Sequence, residues 1–280
     1  MNTESIKIVT DSSSDVLKLP GVAFESAPLK IITAKKEYVD NADLNVKSMV
    51  DDMLTYHGRS STSCPNVVDW LNAFGDAEEI YCVTITGTLS GSYNSALSAK
   101  RFYEEKHPGR RVFVLDSLST GPEIGLILEK LRERILIGEE FDEICKTVKR
   151  YSKKTGLLFM LESMKNLANN GRVSPIVAKM AGILGIRVVG KASDKGDLEP
   201  LNKVRGEQKA LETIVEHLKS MGLNRGKVRI GHCFNEEAAL ALKNLIRKEF
   251  DKVRVELYAC RGLCSFYAER GGLLVGFEKA

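Results

Sequence analysis

Two short stretches gather hydroxyl groups beside glycine or proline with little charge among them: ITGTLSGSYNSA, residues 85–96, and RSSTSCP, residues 59–65. Neutral hydroxyls and backbone N–H groups at the start of a helix hold an anion well, because the unpaired donors and the helix dipole both favour negative charge. In the first stretch Ser90 and Gly91 stand just before a helix-like run. Glycine lets the backbone come close to a ligand, and serine can donate its hydroxyl proton. The competing use is an N-cap by Ser90 or Ser92. In the second stretch Thr62 and Ser63 precede Pro65, which suits the first turn of a helix through Trp70, so capping again competes with ligand binding. Spacing leaves both uses open.

Other chemistries find weaker support. TDSSSD and LDS could supply a nucleophile, but His57, His107, His217 and His232 form no recognisable set with a matching acid. No GxxxxGK[ST] loop occurs, and GTLSG does not match GxGxxG, which disfavours a nucleotide enzyme. The six cysteines, Cys64, Cys82, Cys145, Cys233, Cys260 and Cys264, are scattered, so they suggest reduced buried thiols rather than disulfides or a CxxC metal pair. A formal charge of +4, dispersed along the chain, does not point to nucleic acid. There is no run of about 18 apolar residues to cross a membrane, and the start MNTESIKIVTD lacks the blocks of a signal peptide. The expectation is a cytoplasmic protein without stable membrane insertion.

The elements that must position the hydroxyl loops follow from periodicity. IKIVTD, EIYCVTIT (residues 79–86) and RVFVLD (residues 111–116) read as buried strands. Between them lie NVVDWLNAF, SYNSALSAKRFYEE and EIGLILEKLRERI, with apolar residues at helical spacing. This alternation predicts an open, mostly parallel sheet with flanking helices, whose ligands bind beyond the carboxyl ends of the strands, where TDSSSD, TITGTLSG and LDSLST gather. A polar break at YSKKTG divides the 280 residues into an N-terminal α/β domain, 1–152, and a C-terminal mixed α/β domain, 153–280. In the second half Asn169, Asn170 and Gly171 suit a helix end, Ser174 and Pro175 a helix start, and Gly196 a tight turn between two strands. No internal repeat or low-complexity segment appears.

Six motifs then occur in a telling order: KIVTDSSSDV, TSCP, LSGSYNSA, VLDS, LESMKNLANNGRVS and KVRGEQKAL. Together, over nearly the whole chain, they resemble the DegV family of bacterial fatty-acid-binding proteins, some of which are the binding subunit of fatty acid kinase. The resemblance implies two α/β domains enclosing a long-chain fatty acid, with no cofactor beyond that ligand and no catalytic residue of the chain's own. It implies Thr62 and Ser90 as the principal carboxylate-binding hydroxyls, with Ser63, Thr86, Gly91 and Tyr267 beside them. A dry acyl tunnel would draw on apolar segments such as LLFML and MAGILGI, which equally suit an ordinary core. The partner implied is a separate kinase supplying nucleotide and metal; the basic run Lys203, Arg205 and Lys209 beside KVRGEQKAL could dock it and help orient the carboxylate, or could be only a solvated helix start.

Two departures stand out. Where the family often has Ser-Ser-Gly before its LSG turn, this chain has Thr86-Gly87-Thr88. Where the family commonly carries a histidine before a glycine-rich turn, aligning GGLLVGF places Tyr267, a hydroxyl donor that stays neutral near pH 7 and brings no cation. Two alternatives to a kinase subunit remain: an autonomous hydrolase or transferase using Ser90 as nucleophile, and a fatty acid sensor or storage protein with no kinase partner.

Overall fold

The computed structural model describes residues 5–179 and 182–280. The first β-α alternation builds a four-stranded sheet from β1 (Ile6–Asp11), β2 (Ala23–Ala27), β6 (Glu79–Thr84) and β7 (Arg111–Asp116), in the order β2-β1-β6-β7 and parallel throughout. Parallel strands need crossovers, and the helices that supply them are α1 (Val46–Thr55), α2 (Val67–Phe74) and α3 (Ser92–Lys106). The strand order reverses between β1 and β6. Loops leaving those two strands therefore diverge, and a crevice opens beyond Asp11 and Thr84, as in other open α/β sheets.

Between β2 and α2 the chain forms a further small antiparallel sheet, β3 (Lys30–Ile32), β4 (Glu37–Val39) and β5 (Ser61–Ser63), in the order β4-β3-β5. Strands of three residues carry too little alternation to be read from sequence. The sheet matters because β5 presents Thr62 and Ser63.

After β7, helix α4 (Pro122–Leu136) begins with seven consecutive buried residues, Pro122 to Leu128. Such a helix must be covered on all sides. The parallel sheet and α5 (Phe141–Ser152) cover one side, with Tyr81, Phe113 and Val148 in the shared core. A second sheet covers the other. Its strands are β8 (Thr155–Leu161), β9 (Ile186–Ala192), β10 (Leu198–Arg205), β11 (Arg225–His232), β12 (Lys252–Ala259) and β13 (Leu273–Glu278), in the order β10-β9-β8-β13-β11-β12. Only β11 and β12 run parallel, so this sheet is mixed.

Helices α8 (Glu207–Ser220) and α9 (Glu236–Glu249) pack on the outer face of the mixed sheet. Short helices α6 (Lys165–Asn169), α7 (Pro175–Ala178) and α10 (Gly262–Ala268) lie on the inner side. Strand β8 separates the two environments by its period of two. Leu158 and Met160 enter the outer core, whereas Leu157, Phe159 and Leu161 face inward. Among the described residues no helix is long and apolar enough to cross a membrane.

Candidate functional site: a lipid-sized cavity with a polar end

The inward faces enclose a cavity of about 290 Å³. Its wall is largely apolar: Leu157, Phe159 and Leu161 from β8, Leu274 from β13, Leu198 from β10, Leu167 from α6, Leu263 and Ala268 from α10, and Leu29 and Ile85 from the first half. Polar atoms come from Thr62, Ser63, Ser90, Gly91, Thr120, Tyr267 and Arg172, with the thiols of Cys64 and Cys264. Of the expected site residues, Thr62, Ser63, Ser90, Gly91 and Tyr267 therefore line the same cavity. The LLFML segment supplies lining at alternate positions and core at the others. Of the other apolar candidate, MAGILGI, none of the described residues lines the cavity, Ile183 and Leu184 being 49% and 97% exposed, and Met180 and Ala181 lie outside the described residues.

The competition between capping and ligand binding is decided differently at each loop. Helix α2 is capped by Asn66, whose Oδ1 accepts from Val68 N at 2.8 Å and Asp69 N at 3.1 Å, while Asp69 answers to Asn66 N. Pro65 thus stands before the cap rather than in the first turn. Thr62 and Ser63 belong to β5 and cap nothing. The Thr62 hydroxyl instead lies 2.7 Å from the Tyr267 hydroxyl. At α3 the cap residue is Gly91, and no side chain caps the helix. Ser90 Oγ accepts the Ser92 N–H at 3.2 Å, which leaves its own proton for another acceptor.

Ser92 is used inward. Its hydroxyl donates to Asp11 Oδ2 at 2.6 Å, and the same oxygen accepts the Ile85 N–H at 2.9 Å. Asp11 Oδ1 accepts from the Ser13 N–H at 3.2 Å and from the Ser13 hydroxyl. Burial pushes the Asp11 carboxyl up, and these four donors pull it back toward ionisation. One buried carboxylate at the end of β1 thereby fixes the turn that displays Ser90 and Gly91.

Thr86 is a correction. It is buried, accepts the Thr88 N–H at 3.3 Å and packs beneath the β9–β10 turn at Gly196, away from the cavity wall. Gly196 has φ 84°, and a Cβ there would strike the Thr86 hydroxyl, so the turn and Thr86 fit each other. The departures around Thr86 have the same structural logic. Gly87 lets its N–H reach both oxygens of Asp116 at 3.1 Å, where a Cβ would crowd Asp116. Thr88 donates its hydroxyl to Lys195 O at 2.7 Å and ties the turn to the first half.

Tyr267 sits on α10, which is held from the other half of the chain. Asp40 Oδ1 accepts from Gly262 N at 3.0 Å and Oδ2 from Leu263 N at 2.8 Å, while Asp15 Oδ1 accepts from Arg261 N at 2.9 Å. Burial raises the Asp40 carboxyl and pushes Asp15 up to about 7, with Asp40 contributing to the latter as a like charge. Burial also raises the Tyr267 phenol, against the Thr62 hydroxyl and the Arg172 charge, so Tyr267 stays a neutral donor.

Arg172 is the residue that sequence reasoning missed. It stands in NNGRVS, where Asn169, Asn170 and Gly171 are legible as a helix stop, and nothing local distinguishes its guanidinium from a solvated surface charge. In the structure it lines the cavity, donates through Nε to Leu89 O at 3.2 Å and bonds to Asn170 O. It brings to this wall the cation that Tyr267 lacks. The basic run is elsewhere: Lys203 and Arg205 are exposed on edge strand β10, and Lys209 is exposed on α8 beside Glu212 and Glu216. At about 3.3 Å per residue, Arg205 lies roughly 23 Å along the strand from the cavity residue Leu198.

Among the described residues no group of three or more His, Cys, Asp or Glu side chains could hold a metal ion, and all six cysteines are free. None of the four histidines lines the cavity.

Known proteins share this architecture. A solved DegV family protein of Eubacterium eligens loaded with heptadecanoic acid is 43% identical, with a TM-score of 0.96 over 98% of this chain and 100% of that one. The Streptococcus pneumoniae fatty acid kinase (Fak) B3 protein loaded with linoleic acid is 41% identical, with a TM-score of 0.96 over 98% of this chain and 99% of that one. A DegV domain-containing protein of Streptococcus gordonii is 41% identical over 276 residues, 97% of this chain and 98% of its own. The family model described as "Uncharacterised protein, DegV family" matches residues 5–279, so with two α/β layers closing on one apolar cavity, the chain belongs to the DegV family.

Proposed function

We propose that this protein binds a long-chain fatty acid between a unit of residues 1–152 and a unit of residues 153–280, and presents its carboxylate to a separate kinase. The observation that carries the reading is the single cavity whose wall is aliphatic along β8 and β13, yet gathers Thr62, Ser63, Ser90, Tyr267 and Arg172 as donors. An acyl chain gains from leaving water, while a carboxylate needs several donors to offset its desolvation. Neutral hydroxyls, the Gly91 backbone at the start of α3 and one guanidinium meet that need. The relatives loaded with heptadecanoic and linoleic acid support the same ligand class.

The fatty acid kinase B3 relative supports presentation to a kinase. On this reading Lys203, Arg205 and Lys209 are the docking surface for an acidic partner. Their separation from the cavity along β10 argues against a part in orienting the carboxylate. The unpaired thiols suit a cytoplasmic site of action.

The alternative with Ser90 as a hydrolytic nucleophile lacks a base: among the described residues no histidine, aspartate or glutamate lines the cavity. A sensor or storage protein would share the cavity and differ only in what docks. Native mass spectrometry of the freshly purified protein tests the binding reading. A co-purifying mass of a long-chain fatty acid is expected. A protein that is consistently empty, and stays empty with added fatty acid, overturns it.

A further inference from the structure

Glu269 closes α10 with φ 54° and ψ 174°, a backbone state that glycine adopts freely and that strains any residue with a Cβ. The strained turn aims the carboxylate at α6. Glu269 Oε1 accepts the Asn166 N–H at 3.0 Å, in the first turn of α6, and Asn166 Nδ2 donates to Phe266 O at 2.8 Å. The end of α10 and the start of α6 are thus clasped by two hydrogen bonds, both donated by Asn166.

From Asn166 the bonding continues to the cavity. Asn166 O accepts from Asn170 N at 3.2 Å and from Asn170 Nδ2 at 2.9 Å. The Arg172 N–H donates to Leu167 O at 2.8 Å, and its guanidinium bonds to Asn170 O and Leu89 O. Leu167 and Arg172 line the cavity, and Tyr267, two residues before Glu269, lines it from α10. A contiguous set of hydrogen bonds therefore joins the strained residue to the only guanidinium among the described lining residues.

We propose that Glu269 is a positioning residue, whose carboxylate holds α6, and through Asn166 and Asn170 the Arg172 guanidinium, over the polar end of the cavity and so slows ligand release. The proposal rests on the cavity being a fatty acid site. Its physical basis is that glycine would fit the backbone at this position better than glutamate does. A residue serving the fold alone could be replaced by glycine without consequence for the ligand, whereas the latch needs a side-chain acceptor oxygen at this position.

The test uses the full-length protein and cis-parinaric acid, a fluorescent fatty acid, displaced by excess oleic acid in a stopped-flow instrument. Glu269→Gly should release the probe about tenfold faster, the scale of one lost hydrogen bond to a charged acceptor. Glu269→Gln keeps an acceptor oxygen and should release within twofold of wild type. Asn166→Ala removes the bond to Phe266 O without touching the strained residue, and should release a few-fold faster even if the glycine variant does not fold. Wild-type release rates in Glu269→Gly and Asn166→Ala, with the probe bound normally, overturn the latch and leave the fatty acid reading intact. A wild-type protein that takes up no probe overturns both.

Discussion

The turn Ser12–Ser14 and the stretches bearing Thr62 and Ser90 are made from the same residue types, and both lie at the crevice beyond the parallel strands. Their fates differ. Ser12, Ser13 and Ser14 are all buried, and their hydroxyls serve the protein: Ser12 Oγ accepts Leu29 N at 3.0 Å, Ser13 donates to Asp11, and Ser14 Oγ accepts Val16 N at 3.2 Å. Thr62 and Ser90 are half-buried and face the cavity, Thr62 paired with Tyr267 and Ser90 accepting from Ser92. A hydroxyl is open to a ligand where the fold leaves it lining a cavity, and serves the fold where buried groups of the chain, donors or acceptors, surround it. Asp11 makes the division, since it collects Ser13 and Ser92 and lets Ser90 turn outward.

The contrast breaks most severely at Asp11. Asp11→Ala strands the buried Ile85 N–H and the Ser92 hydroxyl, each about 1 to 3 kcal/mol unsatisfied, so chemical denaturation should show a loss of several kcal/mol. An unchanged unfolding midpoint would mean that the inner turn does not organise the crevice. Ser13→Ala should cost less, because its backbone N–H still reaches Asp11.

Asp15, at the end of the same turn, gives a pH test. Its carboxyl is held up to about 7 from 3.8 chiefly by burial, and its Oδ2 is buried without a partner. The folded protein then holds a proton that the unfolded chain releases, so stability is full below about pH 4 and declines as the pH rises to about 7, beyond which it levels. Asp15→Asn should flatten this decline. It should stabilise by about 1 to 4 kcal/mol at pH 8 and change little at pH 4. Parallel pH profiles for the two proteins would sink the assignment.

The outward hydroxyls should behave oppositely. Ser90→Ala and Thr62→Ala should weaken fatty acid binding by about tenfold while leaving the melting temperature of the ligand-free protein near that of wild type. Unchanged affinity in both variants would return these hydroxyls to a structural role. Thr86→Ala, beneath the Gly196 turn, should leave affinity close to wild type, and a tenfold loss there would contradict its place off the cavity wall.

The smallest effect is expected farthest from the crevice. Arg205→Ala should leave fatty acid binding unchanged and slow kinase-dependent phosphorylation a few-fold, most clearly at low salt, where a Debye length of about 10 Å at 0.1 M lengthens. Rates measured with a competent kinase across a salt series decide it. Equal rates throughout would remove this surface from docking.

The sequence by itself determined the alternation of buried strands with amphipathic helices, because those signals are local. Arg111–Asp116 announces β7 by its own composition, and the apolar spacing of residues 123–135 announces α4. It also carried the ordered motifs of the family, and it placed the LSG turn just before α3. Tertiary structure decided what each polar group does. Three-residue strands such as β5 form only when β3 pairs with them, so Thr62 could not be separated from a helix cap until Asn66 was seen to do the capping. Thr86 looked like its neighbours in TGTLSG, yet the turn at Gly196, 110 residues later in the sequence, covers it. Arg172 reads as the tail of a helix stop, and it becomes a cavity group only because Leu89 O, 83 residues away, accepts from it. Periodicity reports which face of an element is apolar. Which hydroxyl or guanidinium meets a buried partner depends on residues brought together from distant parts of the chain, and no local pattern encodes that meeting.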